Sequence, residues 1–301
     1  MSQRLPVTVI SGYLGAGKTT LVNQMLRQAA GTRIAVLVNE FGELPIDEDL
    51  IEAREDDLIS IAGGCICCSF GSDLMAALQQ MADMTPRPDH IVIEASGVAL
   101  PAAIAQTVDL LPFLRVEGIC VLADSLNIRK MLRDEYIGDT IERQLTDADL
   151  IVLTKSDLVT GEALSDITGW MSRERPKTPM ITAQHGMVPN AVLLGTFPAN
   201  QDRIAMPHAD AMYTSVVLQF DAPCDASRLA EKLCDPSLGI VRAKGYLPDV
   251  SGRVALIQLA GQRSEVSFPE DTGAMGVICI GLKDRLNVED TLRLPTKQLA
   301  I

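Results

Sequence analysis

The chain has 301 residues, 47% of them hydrophobic, with 26 Lys and Arg against 39 Asp and Glu for a formal net charge of −13. That length and apolar content supply material for two domains, each with its own core. The negative balance opposes non-specific binding to nucleic acid or to an anionic membrane surface. No apolar run approaches the length of a membrane span, and the first one is only a strand long, so neither a span nor an export signal is expected.

Leu5 to Ile10 (LPVTVI) is a short, apolar, β-branched run that reads as a buried parallel strand. GYLGAGKTT follows from Gly12 to Thr20 and meets the pattern G-x-x-x-x-G-K-[ST] at Gly12, Gly17, Lys18 and Thr19. From Thr20 to Ala30, Leu21, Met25, Leu26 and Ala29 fall at helical spacing. Strand, glycine loop and helix is the order that phosphate binding needs, because glycines let backbone N–H groups turn onto the phosphates and the helix start adds partial positive charge. Gly12, Tyr13, Leu14, Gly15, Ala16, Gly17, Lys18, Thr19 and Thr20 are therefore expected to hold a nucleotide. Lys18 would reach the β- and γ-phosphates, and the Thr19 hydroxyl would bind Mg²⁺.

Val36 to Glu43 (VLVNEFGE) is a strand that runs into a polar, acidic loop. Asn39, Glu40 and Glu43 either sense the γ-phosphate or a metal, or form a solvated acidic loop. GGCICCS then spans Gly63 to Ser69, with thiols at Cys65, Cys67 and Cys68. A disulfide is disfavoured because nothing marks the chain for export. Three neighbouring sulfurs are also a poor choice for packing alone, so coordination of a thiophilic ion is the better account. Structural zinc sites close all four positions with paired cysteines, whereas here no second pair exists. The fourth donor must come from Glu40 or Glu43, from water, or from a client protein. An open shell of that kind suits a site that receives and releases metal. Cys120, Cys224, Cys234 and Cys279 sit in apolar surroundings and read as small buried hydrophobes.

Ile91 to Ile93 (IVI) is a buried strand leading into Glu94, then Ala95, Ser96 and Gly97. A carboxylate there can hold Mg²⁺ directly or through water, and the Gly97 N–H can sense the γ-phosphate. Leu150 to Leu153 (LIVL) leads into Thr154, Lys155, Ser156 and Asp157, which resembles the guanine-recognition element of GTPases. The Asp157 carboxylate would accept from guanine N1–H and the 2-amino group, with the Lys155 stem along the ring. Adenine lacks that donor pair and would leave the carboxylate unpaired. Thr154 stands where Asn is commoner.

Strands at about 5–10, 33–39, 91–94, 117–123, 150–154 and 179–182 alternate with helical segments. That alternation predicts an α/β fold, a P-loop NTPase with a mostly parallel sheet covered by helices on both faces. Pro198 to Pro207 is polar and unpatterned, so the expected organisation is a GTPase domain over 1–197, a linker over 198–212 and a smaller α+β domain over 213–301. In the last, Tyr213 to Phe220, Val254 to Leu259 and Gly276 to Ile280 read as strands of an antiparallel sheet, with helices at Ala226 to Leu233 and Val288 to Leu292.

GYLGAGKTT, VNEFGE, GGCICCS, EASGVALP and LTKSDL, in this order and spacing, resemble the CobW family of metal-binding P-loop GTPases. That group comprises zinc-regulated GTPase metalloprotein activators and cobalamin-synthesis-associated proteins. The resemblance extends to ITAQHG (Ile181 to Gly186) and IVRAKGYL (Ile240 to Leu247), and so over nearly the whole chain. It implies a cytoplasmic enzyme that binds GTP and Mg²⁺, with Lys18, Thr19 and Glu94 serving hydrolysis and Thr19 and Glu94 the Mg²⁺. It also implies that the cysteines hold Zn²⁺, or Co²⁺, Fe²⁺ or Ni²⁺, for delivery to a client apo-metalloenzyme. Homo-oligomerisation is left open. A metal-sensing regulatory GTPase that inserts no metal is the alternative, while a small-molecule kinase is disfavoured by Asp157. Many members carry a histidine-rich stretch, but this chain has only His90, His185 and His208, so the thiol motif must serve alone. Replacing Cys65, Cys67 and Cys68 together by Ser should abolish tight binding of one metal ion per chain in a zinc titration. In the unaltered chain, affinity should rise with pH through the thiol range, because protons compete with the metal for thiolates.

Overall fold

The computed structural model describes residues 4–29, 31–38, 58–62, 72–195, 212–270 and 272–294. Asn39, Glu40, Glu43, Cys65, Cys67, Cys68 and nearly all of the 198–212 linker lie outside the described residues. Contacts group the chain into two units, one formed by Ser2–Trp170 with Ile181–Asn190, the other by Met171–Met180 with Ala191–Ile301.

The first sheet contains β1 (Leu5–Ser11), β2 (Ile34–Val38), β3 (Leu58–Ala62), β4 (His90–Glu94), β5 (Leu114–Asp124), β6 (Leu150–Thr154) and β7 (Met180–Thr182), in the order β3-β2-β4-β1-β5-β6-β7. Its recorded pairings are all parallel. The helices are α1 (Lys18–Arg27), α2 (Ser72–Ala82), α3 (Pro101–Asp109), α4 (Ile128–Leu132), α5 (Gly138–Thr146), α6 (Gly161–Glu174) and the short α7 (Asn190–Leu193). Every residue of β2, β4, β5 and β6 is buried. Successive side chains point to opposite faces of a sheet, so complete burial means that both faces are covered. The expected α/β fold is the one observed.

Three details depart from expectation. β3 is an additional strand, LISIA, paired in parallel with β2. β5 begins at Leu114 rather than near Glu117, because Arg115 and Glu117 are both buried and form an ion pair with each other. Two charges in a strand read as a loop until their mutual neutralisation is seen. Helix α1 starts at Lys18, two residues earlier than the apolar spacing indicates.

The parallel register aligns the strand ends. Ile10 pairs with Glu94 and with Cys120, Val38 with Glu94 and with Ala62, and Asp124 with Thr154. The carboxyl ends of these strands therefore share one edge of the sheet, where open α/β sheets bind ligands. β1 lies at the switch in strand order, between β4 and β5.

The second sheet is antiparallel, with β8 (Tyr213–Leu218), β9 (Ile240–Pro248), β10 (Val254–Ala260), β11 (Arg263–Ser267) and β12 (Gly276–Leu282) in the order β11-β10-β9-β12-β8. Helices α8 (Ala226–Leu233) and α9 (Val288–Leu292) complete the α+β arrangement. Asp225 caps α8 by accepting from the Arg228 N–H at 3.0 Å. Ala226, Leu229, Ala230 and Leu233 form the helix's apolar stripe and share a core with Ala255, Ile257 and Leu259 of β10. β11 is the unexpected strand here, half-exposed at the sheet edge and carrying Arg263 and Glu265. Charges on an edge strand discourage pairing with another chain, and the same charges hide the strand from its sequence pattern.

Cys120, Cys224 and Cys279 are buried as expected, whereas Cys234 is half-buried. Burial pushes the Cys279 thiol up to about 12. Burial, with the Asp225 and Asp249 carboxylates, pushes Cys224 up to about 11. At neutral pH both are protonated packing groups.

Candidate functional site

The site is built at the carboxyl ends of β1, β4, β5 and β6. After β1 the chain turns at Gly12, whose φ is +136° and where a Cβ would stand 2.5 Å from the Leu122 carbonyl oxygen. Only glycine allows that approach. Lys18 and Thr19 form the first turn of α1, where backbone N–H groups have no intrahelical acceptor and point toward a prospective anion. Lys18 Nζ donates to the Gly12 carbonyl at 2.9 Å and to that of Tyr13 at 3.5 Å, so the ammonium lies over the start of the loop.

Thr19 Oγ1 donates to Glu94 Oε1 at 2.8 Å. Glu94 is only 2% exposed at the end of a fully buried strand. A hydroxyl and a carboxylate held at contact distance beside a phosphate loop are hard oxygen donors of the kind that suits Mg²⁺. Gly97 follows three residues later. A Cβ there would come within 2.5 Å of Leu14 Cδ2 and 2.8 Å of the Leu14 N, so the chain after β4 packs directly on the phosphate loop.

The 154–157 element is locked to its surroundings through its first two members. Thr154 is buried, and its Oγ1 donates to the Ala16 carbonyl at 2.8 Å and to that of Ala123 at 3.3 Å. Threonine at this position therefore ties β6 to the phosphate loop and to β5. Lys155 adopts φ 56° and donates through Nζ to Asp124 Oδ2 at 2.9 Å. Burial raises the pKa of the Asp124 carboxyl, but donation from Lys155, Asn127 and the Leu126 N–H outweighs it and holds the group below the usual carboxylate range. Asp157 remains accessible at 19% side-chain exposure, with His185 Nδ1 lying 3.8 Å from its Oδ2. The Ser156 N–H and hydroxyl both donate to the Ala183 carbonyl, at 3.3 and 3.0 Å, which joins the 154–157 loop to ITAQHG.

The structure thus gathers Gly12 to Thr20, Glu94, Gly97, Thr154, Lys155 and Asp157 on the two loops and strand ends of one sheet edge. It adds three residues that spacing did not single out: Asp124, His185 and, beneath Gly97, Gln144. Asp124 carried one faint signal, a carboxylate ending a buried run; Gln144 carried none. Among the described residues, no group of three or more His, Cys, Asp or Glu is placed to hold a metal ion.

A family model described as CobW/HypB/UreG, nucleotide-binding domain, matches residues 6–182. The chain is 30% identical to the zinc chaperone CobW of a Sinorhizobium species, over 93% of this chain and 94% of that one. It is 33% identical to the zinc chaperone YjiA of Escherichia coli K12, over 81% of each chain. It is 37% identical to zinc-regulated GTPase metalloprotein activator 1 of Schizosaccharomyces pombe, over 54% of this chain and 41% of that one.

Asp157→Asn should weaken guanine nucleotides roughly 10- to 100-fold, the loss that accompanies hydrogen bonds to a charged acceptor. Xanthine nucleotides should gain in the same variant, because the amide offers a donor to their 2-oxo group. Calorimetric titration of GDP, XDP and ADP against both forms checks this; equal affinity for ADP and GDP in the unaltered chain would contradict it.

Proposed function

Since the chain belongs to the CobW/HypB/UreG nucleotide-binding family, we propose that it hydrolyses GTP and uses the nucleotide cycle to load zinc and hand it to a client apo-metalloenzyme. The metal would sit on Cys65, Cys67 and Cys68, with Glu40 or Glu43 as a further donor. A reducing cytoplasmic setting would keep those thiols competent. The description of relatives as zinc chaperones and as a zinc-regulated GTPase activator supports the cargo and the nucleotide. Among the described residues, no helix is long and apolar enough to cross a membrane.

One observation carries most weight: Thr19 and Glu94 meet at 2.8 Å, while Glu94 also pairs in register with Val38, and Val38 with Ala62. VNEFGE begins at Val38, and GGCICCS begins at the residue after Ala62. The segment proposed to sense nucleotide and the segment proposed to hold metal therefore depart from adjacent strands, at the edge that bears the phosphate loop.

In the reaction, the loop N–H groups and the Lys18 ammonium neutralise phosphate charge as it shifts toward the leaving oxygens. Thr19 and Glu94 would hold Mg²⁺, which would supply positive charge to offset that of the phosphates. Asp157 selects the base, Lys155 lies along it, and Thr154 holds the loop at the correct height. Gly97 reports the γ-phosphate through its N–H.

Lys18→Ala should lower GTP turnover by about 100-fold or more while the fold is retained, as expected for removing a preorganised charge at the transferred group. Phosphate release and a thermal melt, measured together, check it. For coupling, zinc titrated against the GDP form and the non-hydrolysable GTP-analogue form should give affinities differing by about 5- to 150-fold, with a reciprocal effect of zinc on nucleotide. Equal zinc affinities would leave two independent sites and remove the delivery mechanism. Coupling without transfer to an apo-client would indicate a sensor instead.

A further inference from the structure

Gln144 lies near the end of α5 and is 1% exposed. Its Nε2 donates to the Gly97 carbonyl at 3.0 Å and to the Ala99 carbonyl at 2.9 Å. Both amide protons are thereby used. Chemistry fixes the orientation, because the flipped amide would set Oε1 against two carbonyl oxygens. The Oε1 atom is buried and has no hydrogen-bond partner among the described residues. Burying an amide oxygen this way is unfavourable, so the pair of donated bonds must offset it. Three residues on, Asp147 Oδ2 accepts from the Ala102 N–H at 3.2 Å. At the other end of the segment, the Ala95 N–H donates to the Ile10 carbonyl at 2.8 Å.

Gly97 is thus confined from two sides. Leu14 of the phosphate loop leaves no room for a Cβ, and Gln144 holds the carbonyls of residues 97 and 99 from the α5 side. We propose that Gln144 is a positioning residue for γ-phosphate recognition: it fixes the 97–99 backbone against the phosphate loop and so sets the preference for nucleoside triphosphate over diphosphate. The proposal rests on the GTP-hydrolysis function above. Gln144 touches no phosphate itself and acts through Gly97.

Gln144→Met keeps the length of the side chain and removes both donors. Relative to GDP, affinity for a non-hydrolysable GTP analogue should fall about tenfold, and turnover should fall by a similar factor, the size of losing an ordinary hydrogen bond. GDP affinity should stay within about twofold, since GDP presents no γ-phosphate to the segment. Asp147→Ala, which releases Ala102 and leaves Gln144 in place, should leave the triphosphate-to-diphosphate ratio unchanged. The proposal is overturned if Gln144→Met weakens both nucleotides equally or neither, or if Asp147→Ala shifts the ratio as much. Should Gln144→Met not fold, nuclear magnetic resonance of the Gln144 side-chain amide in the unaltered chain decides. Its resonances should differ between the GDP and GTP-analogue forms, and identical spectra would refute the role. A chain that turns over no GTP, yet shows the ratio change, would sink the hydrolysis function and leave the positioning role standing.

Discussion

The constraint on which the rest depends is the parallel register that ends β1, β2, β4, β5 and β6 at one edge. Parallel pairing requires each strand to be followed by a crossover that returns the chain to the opposite end of the sheet. Every loop leaving the carboxyl edge therefore starts from nearly the same level. Gly12, Glu94, Asp124 and Thr154 are neighbours because Ile10 pairs with Glu94 and Asp124 with Thr154. A slip of one residue would send the Glu94, Asp124 and Thr154 side chains to the other face.

Register alone brings backbones together; buried polar contacts fix the loops. Thr19 to Glu94, Thr154 to Ala16, Lys155 to Asp124 and Gln144 to Gly97 each bridge segments distant in sequence. An ordinary hydrogen bond contributes only about 1 kcal/mol net, but an unmade buried one costs more. The contacts therefore act mainly as a penalty on wrong arrangements. They hold the phosphate loop from β6, from β4 and, through Gly97, from α5. Preorganisation of this kind is what phosphoryl transfer asks of a protein, since most of its catalysis is positioning and electrostatics.

The antiparallel unit follows different physics. Its core lies between α8 and one sheet face, with Leu229 and Leu233 set against Ile257 and Leu259. Arg242 is buried at 2% exposure, and its guanidinium donates to the Leu193 carbonyl at 2.5 Å within the same unit. A buried guanidinium is costly unless its donors are met, so the surroundings of Arg242 must supply acceptors rather than apolar packing alone.

The sequence by itself determined the α/β class, the phosphate loop, Glu94 and the 154–157 element, because local spacing carries each of them. A glycine pattern, an apolar run and a carboxylate at its end are legible without knowing what lies beside them. What the tertiary structure alone decided are the partnerships. In the sequence Thr154 only stands where Asn is commoner, and the fold shows its hydroxyl anchoring the phosphate loop. Gln144 was one polar residue on an amphipathic helix until its amide met Gly97 and Ala99. β5 hid its first turn of sequence behind Arg115 and Glu117, and β11 hid behind the charges an edge strand tolerates. For Thr154 and Gln144 the deciding contact joins residues far apart along the chain, whereas periodicity reports only the neighbours along it. For β5 and β11 it is burial and place in the sheet, which the pattern of charges does not reveal.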